Sequence, residues 1–299
     1  MIAYVRPDAP VAFAPTEPQN RSAAIAWRRL QRVREAVRSK VDYSKSLFPK
    51  SKDFSPEWKS YKGILARAQG EGKCIYCETR FRSASYGDVE HYRPKAKLIE
   101  LRSRGSRDDL SFSPPQRTAV RAEAPGYWWL AYDWENWLFC CERCNSTWKG
   151  NQFPVCIAGS HHPMFTTHWR PKPGEEMNEH PLLINPFDTD PEPHFRFDKV
   201  GNIYGNTQEG WQTIEVCGLD RKSLVFERKI VAQALVRHIE SWISAAGFEN
   251  EEMERRSLRE LLEASRSLAP YAGMVRYLLL HLGKLNYRDL LELEKTGLL

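Results

Sequence analysis

The sequence contains no run of 18 consecutive apolar residues, which argues against a membrane-spanning helix. Its opening residues, Met1-Ile-Ala-Tyr-Val-Arg-Pro7, lack the apolar core and small-residue cleavage site of a secretory leader, so the expected location is cytoplasmic. Acidic residues are scarce between Arg21 and Lys40, where Glu35 stands alone among seven Arg or Lys. No internal repeat or low-complexity run is present. An even set of cysteines is also missing: there are seven, four of them in close pairs. That pattern fits metal binding in a reducing compartment better than a disulfide framework.

What is present is ordinary for a folded chain. An apolar fraction of 41% and a charged fraction of 27% over 299 residues exclude wholesale disorder and allow one sizeable core with elaborations. The net charge of +6 is compatible with a polyanionic partner without identifying one. The expected class is α+β, divided into a Pro-rich arm (1–20), basic N-terminal helices (21–72), a catalytic core (73–217) carrying an insert at 95–125, and a C-terminal helical region (218–299). Pro7, Pro10, Pro15 and Pro18 keep the arm from packing as a helix. Ala26, Leu30, Val33, Val37 and Val41 form one stripe of a basic helix. Ser55-Pro56-Glu57 reads as a helix start running to about Ala68, with Ser55 as cap. Further on, Phe195, Phe197, Ile203–Tyr204 and Thr213–Val216 read as strands. Asp220 is the expected cap of the first C-terminal helix, and later helices cover about 249–267, 270–282 and 286–295.

The chemistry concentrates between Cys74 and Gly150. Cys74-Ile-Tyr-Cys77 and Cys141-Glu-Arg-Cys144 each place two thiolates one tight turn apart; together they suit a closed tetrahedral Zn²⁺ site of structural type. Cys140 competes with Cys141, but only Cys141 keeps the two-residue gap. Cys156 and Cys217 are expected to be buried free thiols. Between the pairs lies Asp88-Val-Glu90-His91. His91 can act as a neutral base at neutral pH, while Glu90 and Asn145 offer hard oxygens to Mg²⁺ or Mn²⁺, with Asp88 in reserve. Neighbouring strand residues point to opposite faces, so Glu90 and His91 can share a site only where the strand ends, bulges or meets a helix. Arg93 and Lys149 are the expected phosphate contacts. His180, Asp188, Asp190 and His194, like His161-His162, sit in Pro-rich surroundings and read as turn residues rather than a second metal site.

The Glu90-His91 pair, the cysteine pairs and Asn145 next to Cys144 resemble the HNH nuclease superfamily. That resemblance implies a ββα-metal unit with Glu90 and Asn145 on a divalent cation, His91 as general base and Asn136 fixing the loop. Glu at position 90 replaces the more usual Asp, and the interval to Asn145 is lengthened by the insert. Glu-His-Tyr-Arg-Pro-Lys, the aromatic block 127–137, Cys-Asn-Ser-Thr-Trp-Lys-Gly and Pro-Leu-Leu-Ile-Asn-Pro-Phe are similar to the PtuB-type HNH effectors of Septu and retron-associated anti-phage systems over about residues 70–220. This implies a partner ATPase of the ABC type, PtuA-like, and in some systems a retron RNA–DNA complex. Competing expectations are a zinc-knuckle nucleic-acid-binding or adaptor subunit without catalysis and a stand-alone HNH restriction nuclease.

Overall fold

A computed structural model describes residues 1–10, 29, 31–32, 54–104, 117–120, 126–157, 174 and 176–299. The basic helix expected over 22–41 lies outside these, apart from Arg29, Gln31 and Arg32, which are helical. Arg29 donates from Nη2 to Glu57 Oε1 at 2.7 Å. His161-His162 also lies outside.

The entry to the core differs in detail from the expected cap. Ser55 Oγ bonds the Glu57 carboxylate instead of capping, and a 3-10 turn (Glu57–Tyr61) leads into α1 (Lys62–Ala68). Pro56 lacks the N–H that a first turn leaves unpaired, so the start costs nothing there. After α1, positive φ at Gly70, Glu71 and Gly72 turns the chain into the first cysteine pair.

Strand β1 (Asp88–His91) pairs antiparallel with the distant β4 (Trp137–Cys140), in the register Asp88↔Cys140 to His91↔Trp137. Between them the insert forms its own antiparallel pair, β2 (Glu100–Arg104) with β3 (Arg117–Val120). The turn-rich, basic composition of the insert gives no sign of that pair. Buried Gln69 clamps the middle of β4: its Nε2 donates to Phe139 O at 2.7 Å and its Oε1 accepts from Phe139 N at 2.9 Å. A side-chain amide thus satisfies backbone groups that would otherwise be buried without partners.

Two further two-stranded pairs follow: β5 (Val155–Ile157) with β6 (Glu179–Pro181), and β7 (Phe195–Phe197) with β8 (Ile203–Gly205). The residues Thr213–Val216, expected as a strand, belong to helix α2 (Gln208–Cys217). Thr207 caps it by accepting from Gly210 N, and its buried Thr213, Ile214, Val216 and Cys217 fall at helical spacing. A four-residue run with three β-branched members mimicked a strand because the window was too short to reveal the 3.6-residue period. Gly218 ends α2 at φ +60°, where a Cβ would lie 1.9 Å from the Trp148 ring. Only glycine fits both the left-handed backbone and that approach.

Beyond it stand α3 (Lys222–Gly247), α4 (Glu251–Ser265), α5 (Ala272–Leu278) with a wide last turn to Gly283, and α6 (Tyr287–Lys295). Asp220 does not cap α3; Arg221 occupies that position without a side-chain cap bond. Asn250 and Asn286 cap α4 and α6. Residues 1–10 contain no helix or strand, yet Met1, Ile2 and Tyr4 are buried in the common core. Among the described residues no helix is long and apolar enough to cross a membrane.

Candidate metal and catalytic site

The two cysteine pairs converge. Cys74 to Thr79 forms a tight loop, closed by Glu78 N to Cys74 O (2.9 Å) and Cys74 N to Thr79 O (3.1 Å). It docks on β4 through Ile75 N to Phe139 O at 3.2 Å. The second pair follows β4 directly, where the chain turns into a wide helical segment, Arg143–Lys149. The sulfurs of Cys74, Cys77, Cys141 and Cys144 all lie within 4.8 Å of one another, and this is the metal-type cluster found among the described residues. Four thiolates so disposed could hold a metal such as zinc.

Cys140 Sγ lies 3.5 Å from Cys74 Sγ, beside the cluster and outside the four. Neighbouring sulfurs, Cys140 first, hold the Cys144 thiol well below its ordinary range, and Cys144 in turn raises the buried Arg221 guanidinium. Arg221 Nη1 approaches Cys144 Sγ at 3.5 Å and donates to Gly218 O at 2.9 Å, which ties the C-terminal region to the knuckle. Cys217 is buried as expected, whereas Cys156 is only partly buried.

Glu78, next to Cys77, makes a second tie. Burial pushes its carboxyl up, but the Met1 nitrogen at 3.0 Å and Lys73 at 3.5 Å bring it down to about 2, helped by Gly273 N–H. Opposite charges close by favour the ionised form more than burial disfavours it here.

On the other side of the same segment, a cavity of about 290 Å³ is lined by Glu90, His91, Pro94, Lys95, Asn145, Ser146 and Asn151 among others. Glu90 and His91 both reach it because β1 ends at His91. Asp88 does not line it. His91 is buried, with Nε2 at 3.0 Å from Ala131 O and its ring edge-on to Trp58 at 4.7 Å. A carbonyl can only accept, so Nε2 carries the proton and Nδ1 the free lone pair. Burial and then the nearby Lys95 ammonium hold the imidazole well below its ordinary pKa. Lys95 Nζ stands 3.3 Å from His91 Nδ1 and 4.5 Å from the Trp58 ring centroid.

Asn136 fastens the loop after β1. Its Oδ1 accepts from Arg93 N at 2.7 Å, and its Nδ2 donates to Arg93 O at 3.0 Å and Leu130 O at 3.1 Å. This buried amide therefore locks the backbone leading from His91 to Lys95.

The two expected phosphate contacts are committed elsewhere. Lys149 is fully buried, ion-paired with Glu90 Oε1 and donating to His91 O at 3.1 Å. Burial pushes the Glu90 carboxyl up, and Lys149 pulls it back. Arg93 is ion-paired with Glu179 and lies over the Tyr127 and Phe153 rings. A basic residue near a motif is easily read as a ligand contact, yet a buried carboxylate in the same core claims the cation first. Reading the sequence gave Lys95 no role, although it closes the Glu-His-Tyr-Arg-Pro-Lys motif, and missed Trp58. The acid-histidine residues of 180–194 behave as turn and surface groups: His180 pairs with Glu209, Asp188 with Asn185, Asp190 with Glu192 N–H, and His194 with Thr207.

The chain is 36% identical over 172 residues to Septu protein PtuB of Bacillus mycoides (strain KBAB4), covering 56% of this chain and 50% of that protein. It is 29% identical over 154 residues to Septu protein PtuA of the same strain, covering 52% of this chain and 18% of that protein. The chain thus spans about half the length of the first relative and under a fifth of the second. No family model and no solved structure matches it. The chain that carries this cysteine knuckle and acid-histidine cavity is homologous to Septu protein PtuB over about half its length.

Proposed function

We propose that the protein is a metal-dependent HNH endonuclease that hydrolyses nucleic-acid phosphodiester bonds, the effector of an anti-phage Septu system working with a PtuA-like ATPase of the ABC type. One observation carries the reading: Glu90, His91 and Asn145 line a single cavity, with the His91 tautomer set by Ala131 O. In it, β1, β4 and the segment Arg143–Lys149 correspond to the ββα-metal unit. The similarity to two proteins bearing the Septu name supports the placement in such a system.

The donor set suits two kinds of metal. Four clustered sulfurs fit a closed, structural Zn²⁺. Glu90 and Asn145 offer oxygens in a cavity roomy enough for a hydrated Mg²⁺ or Mn²⁺. Lys149 occupies Glu90 Oε1, which leaves Oε2 and the Asn145 amide oxygen to hold the ion. Bound there, the cation would polarise the phosphate and stabilise the departing oxygen.

His91 Nδ1 takes the proton from the attacking water as its oxygen bonds to phosphorus. The bond to the leaving sugar oxygen breaks on the far side, and that oxygen is protonated from solvent. Burial keeps the imidazole neutral and so able to accept. Asn136 holds the backbone on which His91 sits, limiting drift of the base from the attacking line.

The test is cleavage of plasmid, single-stranded DNA and tRNA, with and without the ATPase. EDTA should abolish it, and Mg²⁺ or Mn²⁺ should restore it. Binding without cleavage under every condition would reduce the protein to a stapled nucleic-acid-binding subunit.

A further inference from the structure

With Arg93 and Lys149 committed to buried carboxylates, neither is the side chain that would meet a phosphate in the cavity beside His91. Among the described residues lining it, Lys95 is the cation. None of the described carboxylates lies within ion-pair distance of it; its contacts are the Trp58 ring and His91 Nδ1. A lysine stem is long and flexible, and an aromatic face holds an ammonium without neutralising it.

From this geometry we propose that Lys95 binds the substrate phosphate and, while the cavity is empty, caps the base. The inference rests on the nuclease reading for its chemistry. Lys95 Nζ donates to Nδ1, the same lone pair that must take the proton from water. An entering phosphate oxygen, being anionic, is a stronger acceptor for the ammonium than a neutral imidazole. Lys95 therefore moves to the phosphate, and Nδ1 is released to the attacking water. Substrate arrival and exposure of the base become one event, because the same ammonium serves both. Asn136 fixes the backbone of Arg93, two residues before Lys95, so the swing is confined to the side chain.

Two measurements on the full chain test this. In the first, cleavage by Lys95→Met, Lys95→Arg and His91→Ala is compared with wild type; removing one donor to the reacting phosphate should lower kcat/KM about 10²-fold. Lys95→Arg should recover part of that loss, and Lys95→Gln replaces the Met variant if the latter does not fold. A Lys95→Met enzyme as active as wild type, beside an inactive His91→Ala, would overturn the Lys95 proposal and leave the nuclease reading standing.

In the second, the His91 imidazole is followed by NMR during titration with inorganic phosphate without divalent metal. Phosphate should move the wild-type signal and leave that of Lys95→Met in place. If wild type cleaves no nucleic acid, the nuclease reading fails, and this titration alone decides Lys95. Identical responses in the two proteins, or none in either, sink it.

Discussion

Cys144 and Asn145 are consecutive, yet one belongs to the sulfur cluster and the other lines the cavity beside His91, two settings of opposite character. The sulfur centre is closed: four thiols within 4.8 Å of one another, largely buried, with the Arg221 guanidinium against one of them. The oxygen centre is open: one carboxylate and one amide face a cavity that also admits Lys95, Ser146 and Asn151. A closed shell satisfies its metal and fixes the backbone, whereas an open one leaves positions for water and substrate. A single turn of chain therefore separates what holds the fold from what would perform the chemistry. The closed centre sets the position of the open one, because the segment that follows Cys144 carries Asn145 and Lys149.

The widest gap between the two centres should appear on removing a ligand from each. Cys141→Ser takes one thiolate from a knuckle joining the Cys74 loop, β4 and, through Arg221, the C-terminal helices. Structural zinc contributes folding free energy on the order of 10 kcal/mol, so this variant should lose zinc and the cooperative thermal transition together. A folded variant with full zinc content would break the distinction. His91→Ala should act on the other centre alone. Zinc content should stay near wild type and the loss of one buried ring should lower Tm by only a few degrees, while cleavage falls about 10²–10⁴-fold, the range of a lost general base.

This asymmetry also governs how much could be read without coordinates. Four cysteines at a two-residue gap name their own geometry, because thiolates on a tight turn have one common use. Glu90, His91 and Asn145 stood out by their place among those cysteines, Asn136 was singled out only through the family resemblance, and the cavity brings Glu90, His91 and Asn145 together. The cations were not legible. Whether Lys149 or Lys95 faces the ligand depends on which buried carboxylate lies nearby, and only tertiary packing places Glu90 beside Lys149 or Glu179 beside Arg93. Local patterns failed where windows were short, as with Thr213–Val216, and where a side chain had two partners within reach, as with Ser55.

Asn136 should fall between the two centres, since its bonds are structural while the loop they hold carries the proposed base. Asn136→Ala removes the side chain that binds Arg93 N, Arg93 O and Leu130 O. Leaving such buried groups unpaired costs about 1–3 kcal/mol, lowering Tm by several degrees with zinc retained. Cleavage should drop more than stability alone explains, seen as a kcat loss measured well below the new Tm. An effect on Tm with unchanged kcat would place Asn136 with the knuckle rather than with the cavity.

The smallest expected effect is one of pH, and it tests the open centre through Lys95. Burial first, and then the Lys149 charge, lower Lys95 to about 8, against an attraction to Glu90 that raises it. Only the protonated amine carries the charge that would grip a phosphate. The sign follows: below about 8 the ammonium persists and activity holds, while above it the neutral amine accumulates and kcat/KM declines tenfold per pH unit. The guanidinium of Lys95→Arg stays protonated through this range, so its alkaline limb should vanish even if its plateau is lower. Zinc content should be flat across the same interval, because the sulfur centre takes no part in this titration. A limb near pH 8 that survives in Lys95→Arg would assign the ionisation to another group and detach Lys95 from the chemistry of the cavity.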